Sequence, residues 1–179
     1  MLEWRSAMNL LIVDDEYLVV EEVVTVTDWE LLGITEIYSA TNAVSAVRIL
    51  NEKKIDIMIC DIEMPQTDGL ELSKKAKENF PDLEIVMLTS HAEFNYVRNA
   101  LRYGCYDYLL KPVMEDDIIK VMKNLVTKIE RERHQAQLQE EGIVWNQLKP
   151  VWKEKYWEEM LRGLRDDPNR ECEEYEEKQ

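Results

Sequence analysis

The chain is short of several things, and each shortage narrows its function. It has three cysteines in 179 residues, Cys60, Cys105 and Cys172, at no framework spacing. That argues against a disulfide-stapled secreted scaffold and for a reduced, cytosolic chain. Cations are scarce: 22 Lys and Arg stand against 37 Asp and Glu, a net charge of −15. A basic footprint for nucleic acid is therefore missing from this stretch. No apolar run approaches the roughly 18 residues of a membrane span, and no signal peptide is visible. Internal repeats and low-complexity linkers are absent too.

What is present is globular. Hydrophobic residues make up 45% and aromatics 8%, enough for a packed core. Apolar runs of strand length, at 9–13, 35–40, 56–60, 84–88 and 106–110, alternate with amphipathic stretches near 16–27, 43–53, 69–79 and 93–103, and another from about 115. This alternation predicts an α/β fold, a doubly wound parallel sheet with right-handed crossovers. Ile118, Met122, Leu125 and Ile129 continue the last stretch at helical spacing. Glu132, Ala136 and Gln139 hold the same phase with weak residues, short of a confident coiled coil. Gly142 reads as a break. A second amphipathic stretch then carries Val144, Leu148, Val151, Trp152, Trp157, Met160, Leu161 and Leu164, with Pro150 inside it. Residues 1–7 read as a tag or an upstream start, 8–129 as the main domain and 130–142 as a linker helix. Residues 143–165 read as an amphipathic helical segment that starts a middle region, and 166–179 as a disordered, solvated acidic tail with seven carboxylates.

Five polar residues fall at the ends of the strand candidates. Asp14 and Asp15 follow the first, Asp61 the third, Thr89 the fourth and Lys111 the fifth. In an open parallel sheet the carboxyl ends converge on one crevice, where ligands bind. Adjacent acids suit a hard cation such as Mg2+, which takes oxygen ligands and shares phosphate oxygens. A carboxylate at Asp61 is a plausible nucleophile toward phosphorus. Lys111 would then ion-pair with the phosphoryl group and Thr89 would donate a hydrogen bond to it. Taken singly, each residue has a plainer reading: Asp14–Asp15–Glu16, Asp61 and Thr89 as caps or turn residues, Lys111 as a solvated cation. Capping explains the whole set poorly.

The motifs LLIVDDE (10–16), DIMICDIEMPQTDG (56–69), IVMLTSH (85–91) and YDYLLKPV (106–113) resemble the receiver domain of two-component response regulators. The likeness spans about residues 8–129. It implies a flavodoxin-like five-stranded sheet of order 2-1-3-4-5, followed here by a C-terminal helical extension. It implies Asp61 as phospho-acceptor. It also implies Mg2+ on Asp15, Asp61 and the backbone carbonyl of Glu63, with Asp14 acting through water. Thr89 and Lys111 would contact the phosphoryl group, Lys111–Pro112 would be a cis peptide, Tyr108 the switch aromatic, and Gly69 the glycine after the acceptor loop. Glu63 and His91 occupy positions that tune dephosphorylation in the family.

The insert Thr27–Ile34 and the stretches His91–Val97 and Tyr106–Val113 are similar to the subfamily with an AraC-type output domain. That likeness implies a sensor histidine kinase as partner. It also implies a homodimer through the fourth helix, fifth strand and fifth helix or through the linker helix. DNA binding would belong to an output domain beyond this chain, with no membrane role. Trp29 and Leu31–Leu32 also read as a hydrophobic lid on the sheet edge. Two other functions fit part of the pattern. A haloacid-dehalogenase-type phosphatase would need an Asp where Glu63 stands, and a phosphorylation-independent dimerisation module would carry a vestigial site.

Overall fold

The computed structural model describes residues 7–65, 68–90 and 104–161, with side chains to Gln139. The expected 93–103 helix, His91, most of the 1–7 segment and the 166–179 tail lie outside these residues. The chain divides into two compact units, Met1–Glu130 and Arg131–Gln179.

The first unit is built on β1 (Met8–Val13), β2 (Ile34–Ala40), β3 (Ile57–Asp61), β4 (Glu84–Thr89) and β5 (Asp107–Leu110). All neighbours pair in parallel, in the order β2-β1-β3-β4-β5. Strands β3 and β4 are buried at every position, as strands covered on both faces must be. Side chains alternate between two cores. Leu10, Ile12, Ile57, Ile59, Val86 and Leu88 face one way. Leu11, Val13, Met58, Cys60, Ile85 and Met87 face the other.

The first core is covered by α1 (Tyr17–Thr25) and by the start of α4 (Glu115–Leu161), where Ile118, Met122, Leu125 and Ile129 are buried. Their spacing of four, three and four is therefore a core face of the first unit. The second core is covered by α2 (Ala43–Glu52) and α3 (Gly69–Asn79). Asn42 caps α2 by accepting from the Ser45 N–H, and Asp68 caps α3 by accepting from Leu70.

The Thr27–Ile34 insert forms a 3-10 turn at Glu30–Leu32, closed by Gly33 in the left-handed region at φ 85°. Trp29 and Leu32 are buried, whereas Leu31 is 73% exposed, so the apolar cover is made by two of the three residues. The Trp29 indole N–H donates to the carbonyls of Val24 at 3.0 Å and Val23 at 3.3 Å. It thus satisfies backbone acceptors at the end of α1 that have no helical donor.

At the amino end of β4, the Glu84 carboxylate is buried between Lys77 of α3, at 3.1 Å, and Lys128 of α4, at 2.9 Å. The Lys128 ammonium also lies 5.4 Å from the centroid of the Tyr106 ring. Lys128→Met keeps the alkyl stem but removes one of the two cations on a buried acid. With Lys77 still paired to Glu84, it is expected to cost about 1.5–3 kcal/mol, the worth of one charged hydrogen bond, read as a lower urea midpoint at unchanged slope.

In the second unit the backbone is helical to Leu161. Gly142 and Pro150 lie inside α4, so the expected break at Gly142 is not there. Glycine lowers helix stability by about 1 kcal/mol but keeps its N–H, so the hydrogen-bond ladder can continue through it. Arg131 to Gln139 are exposed or half-buried, and Leu138 is 53% exposed. Among the described residues, no helix is long and apolar enough to cross a membrane.

Candidate functional site

Strand order alone brings the polar ends together. Asp14 follows β1, Asp61 ends β3, Thr89 ends β4 and Lys111 follows β5, on four neighbouring strands. The ladders run past the strand ends. The Asp14 N–H donates to Ala40, Ile62 to Leu88 and Lys111 to Thr89, at 2.9–3.1 Å. These bonds fix the backbone from which each side chain projects.

The site is a buried charge cluster. The Lys111 ammonium lies 2.7 Å from Asp14 Oδ2 and 3.1 Å from Asp61 Oδ1. Asp14, Asp61 and Thr89 are buried, and Asp15 is exposed at the rim. Asp14 Oδ1 accepts the Glu16 N–H at 2.9 Å. Burial pushes the Asp61 carboxyl above its ordinary range, and Asp14 adds to the rise. Lys111 and the Glu63 backbone N–H pull it back only in part. For Lys111, burial works to lower the pKa, but the hydrogen bond to Asp14 and the charges of Asp61 and Asp14 outweigh it and hold it high. The cluster thus holds two buried carboxylates against one ammonium, with a third carboxylate beside them.

A cation would correct that imbalance. One carboxylate oxygen from each of Asp14, Asp15 and Asp61 lies within 4.8 Å of the others. Octahedral Mg2+, with bonds of about 2.1 Å, suits an oxygen-only set of this size if one ligand acts through water. The donor set therefore fits the ion. Capping accounts less well for the same residues. Asp14 Oδ1 does take the Glu16 N–H at the start of α1, but its Oδ2 faces Lys111, and Asp68, not Asp61, caps α3.

Around this centre, Tyr108 is half-buried on β5 and packs on the second core. The Lys111–Pro112 peptide is cis. Glu63 is exposed. His91 and the 93–103 helix fall outside the described residues. Cys60 and Gly69 touch the Asp61 backbone, a role that no spacing signalled. The Cys60 thiol donates to the Asp61 carbonyl at 3.3 Å, and a Cβ on Gly69 would stand 1.8 Å from that same oxygen.

Residues 10–123 match the family model described as the response regulator receiver domain. The chain is 34% identical over 124 residues to the transcriptional regulatory protein YesN of Bacillus subtilis, covering 69% of this chain and 34% of that protein. It is 32% identical to the response regulator SaeR of Staphylococcus aureus over 71% of this chain and 54% of that one. The chain thus spans about a third to a half of these relatives. Among solved structures, the REC domain of AraT, a response regulator from Geobacillus stearothermophilus, superposes with a TM-score of 0.67 at 30% identity, covering 71% of this chain and 98% of that one. An AraC two-component regulator of Clostridium phytofermentans shares the fold at 23% identity, with a TM-score of 0.66 over 71% of this chain and 98% of that one. With the fold, the strand-end cluster and a family model covering most of the chain in agreement, this chain belongs to the response regulator receiver domain family.

Proposed function

We propose that the chain is a phosphorylation-controlled receiver, with Asp61 as the acceptor. One observation carries this: a buried Asp61 at the centre of the sheet's carboxyl edge, with Lys111 at 3.1 Å and two further acids beside it. The donor is a phosphohistidine on a sensor histidine kinase. An Asp61 carboxylate oxygen attacks phosphorus, the P–O bond forms, the P–N bond breaks, and the imidazole leaves and takes a proton. Mg2+ held by Asp15, Asp61 and the Glu63 carbonyl, with Asp14 through water, would neutralise charge on the transferring oxygens. Lys111 pairs with the phosphoryl group and Thr89 hydrogen-bonds it.

The new charge at Asp61 draws Thr89 inward, and Tyr108 follows. The surface from 93 to about 125 repacks, biasing a homodimer through that face or through the helix beyond it. YesN is named as a transcriptional regulatory protein, which supports a transcriptional output. An AraC-type DNA-binding domain in a longer parent protein fits the sequence likeness. The domain signals and does not turn over an external substrate; its only chemistry is transfer to Asp61 and loss of that phosphoryl group by hydrolysis, at a rate tuned by Glu63 and His91. The setting is the cytoplasm.

Incubation with acetyl phosphate and Mg2+ is expected to add one phosphoryl group per chain by intact mass, and chelation with EDTA to prevent it. No added mass, or steady hydrolysis of a phosphomonoester, would overturn the reading. The second result would point to a phosphatase.

A further inference from the structure

The first turn of α3 lies directly on the backbone of Asp61. A Cβ on Gly69 would stand 1.8 Å from the Asp61 carbonyl oxygen, 2.8 Å from its carbon and 3.1 Å from Ile62 Cα. All three are backbone atoms, so no side chain can swing aside. Gly69 does not have a positive φ; among the described glycines only Gly33 and Gly104 do. Close approach, not conformational freedom, is what this position demands.

Several bonds hold the same spot. The Gly69 N–H donates to the Ile62 carbonyl at 2.9 Å, and the Ile62 N–H donates to Leu88 at 3.0 Å. The Cys60 thiol reaches the Asp61 carbonyl at 3.3 Å and the Gly69 carbonyl at 4.0 Å. Asp68 fixes the start of the helix by accepting from Leu70 at 2.8 Å. The peptide from Asp61 to Glu63 is therefore clamped between β4 and α3. That peptide supplies both the acceptor carboxylate and the Glu63 N–H bonded to it.

We infer that Gly69 and Asp68 are positioning residues for phosphoryl transfer, acting through the Asp61 peptide. This rests on the acceptor reading above. Transfer needs the attacking oxygen in line with phosphorus, and a displacement near 1 Å costs on the order of 100-fold in rate. A methyl group at Gly69 forces at least that displacement on the Asp61 carbonyl or on α3. Asp68→Ala is gentler: it removes the cap and lets the first turn of α3 fray off the Asp61 backbone.

The test measures acetyl phosphate labelling rates at saturating Mg2+, well below each variant's Tm, alongside the Mg2+ affinity. Gly69→Ala is expected to label at least about tenfold more slowly, and Asp68→Ala several-fold more slowly, both while folded by near-UV circular dichroism. A purely structural role would lower Tm and leave the saturated rate unchanged; wild-type rates in the folded variants overturn the inference. If Gly69→Ala does not fold, Asp68→Ala decides alone. An unlabelled wild type overturns the acceptor reading itself and this inference with it, whereas a labelled wild type with unaffected variants overturns only this inference.

Discussion

Asp61→Asn is expected to abolish acetyl phosphate labelling and, at neutral pH, to raise stability. The two effects share a cause. The amide oxygen cannot attack phosphorus, so the acceptor is lost. The same substitution removes a charge that the fold holds at a cost, because burial and Asp14 push the Asp61 carboxyl up against the opposing pull of Lys111. A carboxyl whose folded pKa is raised binds its proton more tightly in the native state than in the unfolded chain. Its contribution favours the fold below the unfolded value of about 3.8 and is lost as pH rises through the folded value. At pH 7 the wild type carries that burden and the Asn variant does not. Each 1 kcal/mol of relief corresponds to a Tm higher by about 3 °C for a chain of this size, so the expected sign is an upward shift of the melt. The gain should shrink as pH falls toward the range where the wild-type carboxyl is itself neutral. Thermal melts from pH 7 down to pH 4 check the sign. A variant that melts below the wild type at pH 7 would mean the Lys111 pairing outweighs burial, and surviving label would remove Asp61 as acceptor.

Lys111→Met should have the opposite effect on stability. Among the described residues, Lys111 is the one cation contacting Asp14 Oδ2, at 2.7 Å, and it also pairs with Asp61. Asp14 Oδ2 is buried and has no other partner among the described residues. Removing the ammonium leaves two buried carboxylates facing each other. Breaking a buried pair in this way costs about 3–5 kcal/mol, read as a large drop in urea midpoint without metal. The carboxylates are freed at the same time, so Mg2+ should bind the variant more tightly than the wild type and restore part of the lost stability. Urea titrations with and without saturating Mg2+ separate the two terms. Equal Mg2+ affinity in the variant and the wild type would show that Lys111 does not compete with the ion. Transfer to Asp61 should slow in the variant even with Mg2+ bound, because the counter-charge for the phosphoryl group is gone.

Much of this site was legible in the sequence, for a physical reason. A strand buried on both faces is a short, near-continuous apolar run, and a polar residue closing that run marks the strand's end. Asp14, Asp61, Thr89 and Lys111 announce themselves in that way. The βα alternation and the handedness of crossovers then leave few topologies, and the order β2-β1-β3-β4-β5 places all four residues on adjacent strands. The Ile118–Met122–Leu125–Ile129 stripe could also be read as a helical face. Its partner could not: the same spacing serves a dimer seam or a core, and only its burial against the first core decides between them.

Residue order alone set out the polar groups: three carboxylates, a hydroxyl and an ammonium, each at a strand end. Those follow from local pattern, because strand length and residue polarity are local properties. The tertiary structure decided the balance of charge and the fit. Lys111 bridges Asp14 and Asp61, Glu84 takes both Lys77 and Lys128, and Gly69 lies against the Asp61 carbonyl. Each of these depends on atoms of different elements meeting within a few ångströms, and the ion pairs also on burial that strengthens them. No spacing along the chain carries that information.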